Sequence, residues 1–449
     1  MSAPVAGRPA GTVGALHRFR LGNGLRVLAA PDHSAPVVSV AVLYDVGHRS
    51  EPEGREGLAH LFEHLMFQGS ENLPKLAHAR YVNACGGSFN GTTHRDHTAF
   101  YEVLPAGALE LSLFLEADRM RAPDFTEETL LNQVAVVEQE IRRKVFDNPY
   151  GGLPSPYLPT VLFDDFAAAH DGWGAAEELK KVTPAECRAF FEEFYAPANA
   201  LLVVCGDADP DTVAELAERH FGAIPGGSAP PRRRAAAGPN STEPRSRAYT
   251  HPGAVLPALA VGWRLPDPAS DTGYPAALLL ADVLADGPDS LVQRRLLRQD
   301  ASASQLGLIA GLGGAPYESR DPDALALTAI LRPEADPGAV VGAVYEELDK
   351  LAAAGPDEEL LARHAAKWAT SWSRSLDPLG VRAQRLGAFE LLHGSAESAG
   401  DLARRIRLLT PSGIAAAAAA LAEQPQRWVT IHQEPAGPPA VAGPQESSR

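Results

Sequence analysis

The sequence predicts an α+β fold: two homologous α/β-roll units, each an antiparallel-rich sheet covered by helices, joined by a linker. Three observations point there. The chain has 449 residues, more than a single hydrophobic core usually organises. Strand-like and helix-like segments mix without the strict alternation of a doubly wound sheet. The two halves also repeat each other. Residues 182–207 read VTPAECRAFFEEFYAPANALLVVCGD, and residues 409–434 read LTPSGIAAAAAALAEQPQRWVTIHQE. Each opens on aliphatic-Thr-Pro, where the threonine caps and the proline takes the first helical position. Each ends in a β-rich run after a proline, the pattern of a duplicated unit.

The expected organisation is a disordered N-terminus over 1–15, a first unit over 16–225, a linker over 226–247, a second unit over 248–434 and a disordered tail over 435–449. The linker reads GGSAPPRRRAAAGPNSTEPRSR and has no apolar periodicity. In the first unit, HRFRLGNGLRVLAAP reads as a hairpin turning at Asn23-Gly24, and VVSVAVLYDVG as a long strand. GGSFNGTTHRDHTAFYEVLP is Thr- and aromatic-rich and reads as a strand or hairpin. LELSLFLEADRM and TEETLLNQVAVVEQEIRRKVF read as helices. In the second unit, ALAVGWRLPD and DALALTAILRPE read as strands. YPAALLLADVLADG and the span 337–395 read as helical, and AGLGGAP reads as a loop.

Composition excludes several classes of function. Lys plus Arg is 40 against 56 Asp plus Glu, a net charge of −16. Such a surface repels phosphate backbones, so no nucleic acid is expected as partner. No apolar run reaches the ~18 residues of a membrane span, and the first residues hold no signal-peptide core. The three cysteines, Cys85, Cys187 and Cys205, are widely spaced and form no CxxC pair. That argues against a disulfide framework and a cysteine zinc site, and sets a reducing cytoplasm as the expectation. Cys205 lies in an apolar run and reads as a buried small hydrophobe.

The chemistry concentrates in GREGLAHLFEHLMFQGS, residues 54–70. Two imidazoles and a carboxylate interrupt a run that otherwise reads as core. On a helix, residues four apart share a face, so His60 and His64 can address one metal ion. Glu63 sits beside them and can reach a metal-bound water. The order H-x-x-E-H inverts that of the common zinc proteases. A catalytic zinc takes three protein ligands and keeps one position open, so one ligand remains to be found. The helix LLNQVAVVEQEIRR offers Glu138 and Glu140, of which Glu140 is preferred.

With that distal helix, the chain resembles the pitrilysin/insulinase family of zinc metallopeptidases, nearest its short two-domain branch with mitochondrial processing peptidase. LGNGLRVL, VGHRSEPEGREGLAHLFEHLMFQGS, GGSFNGTTHRDHTAFYEVLP, VVEQEI, ANALLVVCGD and HFGAIP carry the resemblance over residues 16–225. The second half matches in texture and length. The resemblance implies zinc held by His60, His64 and Glu140, with Glu63 activating water; Glu138 then becomes a solvated position. It implies a peptide substrate added as a strand along GSFNGTTHRD, with Asn90 and Gly91 near the scissile bond. By residue type alone, Asn90-Gly91 reads as a type I′ turn. It further implies half of a clamshell, completed by a second, related chain.

Two positions depart from the family pattern. Gln133 stands where a second glutamate is expected two turns before the ligand, which weakens the electrostatics around the metal. The family also uses an Arg and a Tyr in a C-terminal domain to hold substrate. Arg298 can match the arginine, but Ser304 and Gln305 stand where the tyrosine belongs. The expected partner is therefore a related chain that supplies the Arg/Tyr pair, with a homodimer as the lesser alternative. The functional expectation is a zinc endopeptidase acting on peptides in an enclosed chamber. Its alternatives are a non-catalytic structural or substrate-binding subunit, and a protease dedicated to the leader of a peptide natural product. His78, His94 and His97 are expected in exposed loops or strands, with no metal role.

Overall fold

The computed structural model of the protein describes residues 14–232, 241–270, 272–288, 290–312 and 314–434. Most of the two expected disordered ends, and residues 233–240 of the expected linker, lie outside these. The linker's last residues, from Arg245, are already strand.

The first sheet comprises β1 (His17–Arg20), β2 (Arg26–Pro31), β3 (Val37–Tyr44), β4 (Ser88–Thr93), β5 (Thr98–Pro105) and β6 (Ala200–Gly206). Its order is β1-β2-β6-β3-β5-β4. The second comprises β7 (Arg245–His251), β8 (Ala258–Arg264), β9 (Ala303–Ala310), β10 (Ala324–Leu331) and β11 (Arg427–Gln433), in the order β7-β11-β8-β10-β9. Setting β1 aside, the two orders are the same. In each sheet one pair is parallel, β2 with β6 and β7 with β11, and the remaining pairs are antiparallel. The fold is thus α+β and duplicated.

Local chemistry explains the repeated ends. Thr183 accepts from the Glu186 N–H, while Glu186 reaches back to the Thr183 N–H, closing a capping box over Pro184–Phe194. Thr410 caps Pro411–Ala422 by accepting the Gly413 N–H, without the return bond. The β1–β2 turn closes with the Gly24 N–H on the Leu21 carbonyl, and Gly24 has φ of 91°, which favours glycine. Asn90 and Gly91 are not a turn. They lie inside β4, opposite Tyr101 and Phe100; the hairpin turns later, where the His94 N–H meets the His97 carbonyl.

The first unit has a core of its own, but part of each unit's hydrophobic packing is shared with the other. The helix Leu379–His393, from the second unit, lies across β3 and β6 of the first. Its Gly387 is so close to Leu43 that a Cβ would sit 2.5 Å from the Leu43 Cδ1. Leu28, Leu43, Leu201 and Val203 of the first sheet share one cluster with Leu386 and Phe389. The reverse also holds. Leu158 and Val161, from the short helical stretch around Pro159–Leu162, pack on Ala260, Ala326 and Val429 of the second sheet. When Thr183 is aligned with Thr410, these two borrowed segments fall at equivalent places, so each unit covers the other's sheet. Ion pairs reinforce the exchange: Arg320 to Asp45 at 2.7 Å, and Arg18 to Glu390 at 2.8 Å.

Candidate active site

The opening motif forms a short helix, Leu58–Leu65. Leu58, Ala59, Leu61, Phe62 and Leu65 are buried in the first unit's core, and Phe62 stacks on Tyr195 with ring centroids 5.3 Å apart. The apolar positions thus anchor the helix, leaving His60, Glu63 and His64 on its other side. The N-terminus is pinned by Glu51, which no local sequence pattern marks. Glu51, fully buried, accepts the N–H groups of Gly57 and Ala59 at 2.9 and 2.7 Å. Burial pushes its pKa up to about 7, against the pull of His170 and these N–H donors. Gly57 has φ of 88°, and a Cβ there would meet the Trp173 carbonyl at 2.6 Å.

The distal helix, Glu127–Ile141, starts at the Thr126 cap and buries Val134, Val137 and Ile141. It packs against Leu58–Leu65 and delivers Glu140 to the histidines. The Glu140 Oε2 lies 3.2 Å from the His64 Nε2 and 3.7 Å from the His60 Nε2. One donor atom from each residue falls within 4.8 Å of the others. Zinc bonds of about 2.0–2.2 Å at tetrahedral angles put neighbouring donors a little over 3 Å apart, so the donor set and its spacing fit that ion. Protonation suits it as well. The His64 hydrogen bond, then Lys144, hold the Glu140 carboxyl down at about 2 despite its partial burial. Burial, then the neighbouring His64, lower His60 to about 4, so it offers a neutral ring at neutral pH.

Glu63 stands apart from the donor set. Its Oε2 accepts the Thr93 hydroxyl at 2.7 Å. Burial raises its pKa, and the Thr93 hydrogen bond opposes that. Thr93 ends β4, the outermost strand of its sheet. Gly91, in the same strand, is glycine for a steric reason: a Cβ would come within 2.7 Å of the Glu63 Cγ. The carboxylate and the strand edge are therefore in contact. Thr93→Ala removes a bond that favours the ionised carboxylate, so Glu63 titrates at higher pH in the variant. The acid limb of kcat/KM against pH is expected to move upward; an unmoved limb would break the link between Glu63 and that limb.

The surroundings of the donor set differ from the sequence reading in several places. Lys144 holds the second oxygen of Glu140 at 2.6 Å and lies 5.2 Å from the Trp173 ring centroid. Trp173 in turn meets the His60 ring edge-on at 5.2 Å. Neither contact was legible in the sequence. Gln133 is buried, and its amide donates to Asn132 rather than to a metal-site residue. Glu138 is at the surface, paired with Lys180. His78 and His97 are buried, contrary to the expected exposure. His78 bonds Glu102 within a buried group that includes Glu116, and His97 stacks on His94 at 4.4 Å. Arg298 is exposed in the second unit, on the short helical segment Arg294–Gln299 before β9. That segment packs on β9 and on the helix Pro337–Ala354 of the second unit. The Ser304 hydroxyl bonds the Ile330 carbonyl within the sheet.

A duplicated two-sheet unit with an H-x-x-E-H helix and a distal glutamate has the plan of an inverted-motif metallopeptidase. Comparison with known proteins gives the family. Residues 26–149 match the model of insulinase, peptidase family M16, and residues 181–367 match the M16 inactive domain. The chain belongs to this family. It is 29% identical over 294 residues to the zinc protease PqqE of Helicobacter pylori, a match spanning 64% of each chain and so under two thirds of that relative. A protease structure from Helicobacter pylori superposes with a TM-score of 0.82 at 23% identity, over 94% of this chain and all of that one. Pitrilysin superposes with a TM-score of 0.73 at 19% identity, over 93% of this chain but only 44% of its own. These superpositions speak to the fold: this chain corresponds to one half of a pitrilysin-length molecule.

Proposed function

We propose that the chain is a zinc-dependent endopeptidase that cleaves peptides in an enclosed chamber, as the metal-bearing member of a pair. The observation that carries this reading is the meeting of His60, His64 and Glu140 beside Glu63, in contact with an edge strand. Zinc, when bound, acts as a Lewis acid that acidifies water and polarises a carbonyl. The chain's own residues supply the rest. The outer edge of β4 takes an extended peptide through main-chain hydrogen bonds, which give affinity without demanding a sequence. Asn90 and Gly91 then lie along the bound strand, near Glu63. Glu63 takes a proton from the attacking water and delivers it to the departing amine. Thr93 orients its carboxylate, and Lys144 and Trp173 hold Glu140 and His60 in place.

The pairing rests on what this chain lacks. Ser304 and Gln305 stand where a tyrosine would stabilise the tetrahedral oxyanion. A related chain bearing that Arg/Tyr pair would complete the site. A second reading, a non-catalytic subunit, draws on the match of residues 181–367 to a domain described as inactive. The intact donor set in the first unit favours the enzyme. The test is cleavage of a peptide library by the zinc-loaded chain, alone and with a similar-sized companion recovered by pulldown. Cleavage that appears or strengthens with the companion supports the pair. Full activity of the lone chain removes the complementing partner, and no cleavage in either arm favours the non-catalytic subunit.

A further inference from the structure

The second unit contains a cavity of about 820 Å³ between the helices Gly273–Ala285 and Pro411–Ala422. Its origin can be read from the duplication. With Thr183 aligned on Thr410, Phe190, Phe191, Phe194 and Tyr195 fall opposite Ala417, Ala418, Leu421 and Ala422. In the first unit these aromatics fill the space: Phe190 and Tyr195 lie 4.9 and 5.3 Å from the Phe62 ring. In the second, Ala417 and Leu421 in place of two of these aromatics line an open groove together with the exposed Ala416 and Ala420, facing Ala276 and Ala277. Open volumes of about 300–1,000 Å³ are the size of small-molecule sites.

The walls are mostly apolar, but two arginines line the cavity. Arg427 is 2% exposed; it donates to the Leu162 and Ser241 carbonyls, and its buried Nε has no partner. Arg264 lies against the Phe163 ring at 5.1 Å. Among the described residues it pairs with no carboxylate, and its buried Nη1 has no partner. Burial, then the charge of Arg427, lower its pKa, while the nearby Asp164 and Asp165 raise it. Several other polar groups in the wall are already engaged. Asp267 accepts the Ala269 N–H, Gln424 bonds both backbone groups of Arg264, and Thr410 caps its helix. A peptide would bring N–H and carbonyl groups that find few partners here, whereas an acyl chain brings none.

We propose that this cavity binds a medium-chain fatty acid, its chain in the space the alanines leave and its carboxylate on Arg264. The test is calorimetric titration of the full chain with octanoate, decanoate, decanol and N-acetyl-leucyl-leucine. Decanoate is expected to bind tightest, with each added methylene worth about fourfold in affinity. Arg264→Gln is expected to weaken decanoate by about tenfold or more and leave decanol unchanged. Ala417→Phe, which restores the first unit's residue, is expected to remove decanoate binding; Ala420→Leu gives a milder blockage should the larger ring prevent folding, judged by its melting temperature. Decanoate binding no tighter than decanol, tighter binding of the dipeptide, or binding that survives both fillings in folded protein would overturn the proposal.

Discussion

Glu63→Gln is expected to leave zinc bound and to lower kcat by about 10²–10⁴-fold, the range a positioned general base contributes. Glu63 lies outside the set of donor atoms that converge on the ion, which is made by His60, His64 and Glu140. The amide keeps the length of the side chain and can still accept the Thr93 hydroxyl, so the contact with β4 survives. What it loses is the capacity to take a proton. Metal content should therefore match the parent while turnover collapses. If instead zinc disappears with the activity, Glu63 is acting as a ligand. If activity persists, the base lies elsewhere.

The second large effect concerns the shared core. A chain ended after Pro225 is expected not to fold, although it holds every residue of the metal site. Its sheet would expose the face of β3 and β6 that the helix Leu379–His393 covers, with Leu28, Leu43, Leu201 and Val203 open to water. Circular dichroism and dye binding would show secondary structure without fixed packing. In the full chain, Leu43→Ala removes a fully buried side chain from under Gly387 and is expected to cost about 2–5 kcal/mol. A fragment that melts cooperatively, or an unshifted Leu43→Ala, would mean that the units are independent.

Legibility in the sequence followed the range of the interactions. His60, Glu63 and His64 are readable because helical spacing alone puts them together. Capped helices such as Pro184–Phe194 and Pro411–Ala422 are readable from a threonine and a proline. Glu140 was narrowed to one of two glutamates by the distal helix and fixed only by resemblance, because its partners are far away in the chain. Thr93, Glu51, Trp173 and Lys144 escaped notice, since each acts through a contact between segments that carries no local pattern. The exchanged helices escaped for a related reason. Pro159–Leu162 is one turn long in a Gly- and Pro-rich stretch, and Leu379–His393 reads as a helix without saying which sheet it covers. Asn90-Gly91 shows the reverse: a strong local turn signal overridden by its place in β4, where closeness to Glu63 calls for glycine at position 91.

Metal analysis of the purified chain beside Glu140→Ala is the most direct measurement of whether two distant helices build one ion site. About one zinc per parent chain, and essentially none in Glu140→Ala, is the expected result. Full zinc retention by Glu140→Ala, or a parent chain that takes up no zinc, would contradict it.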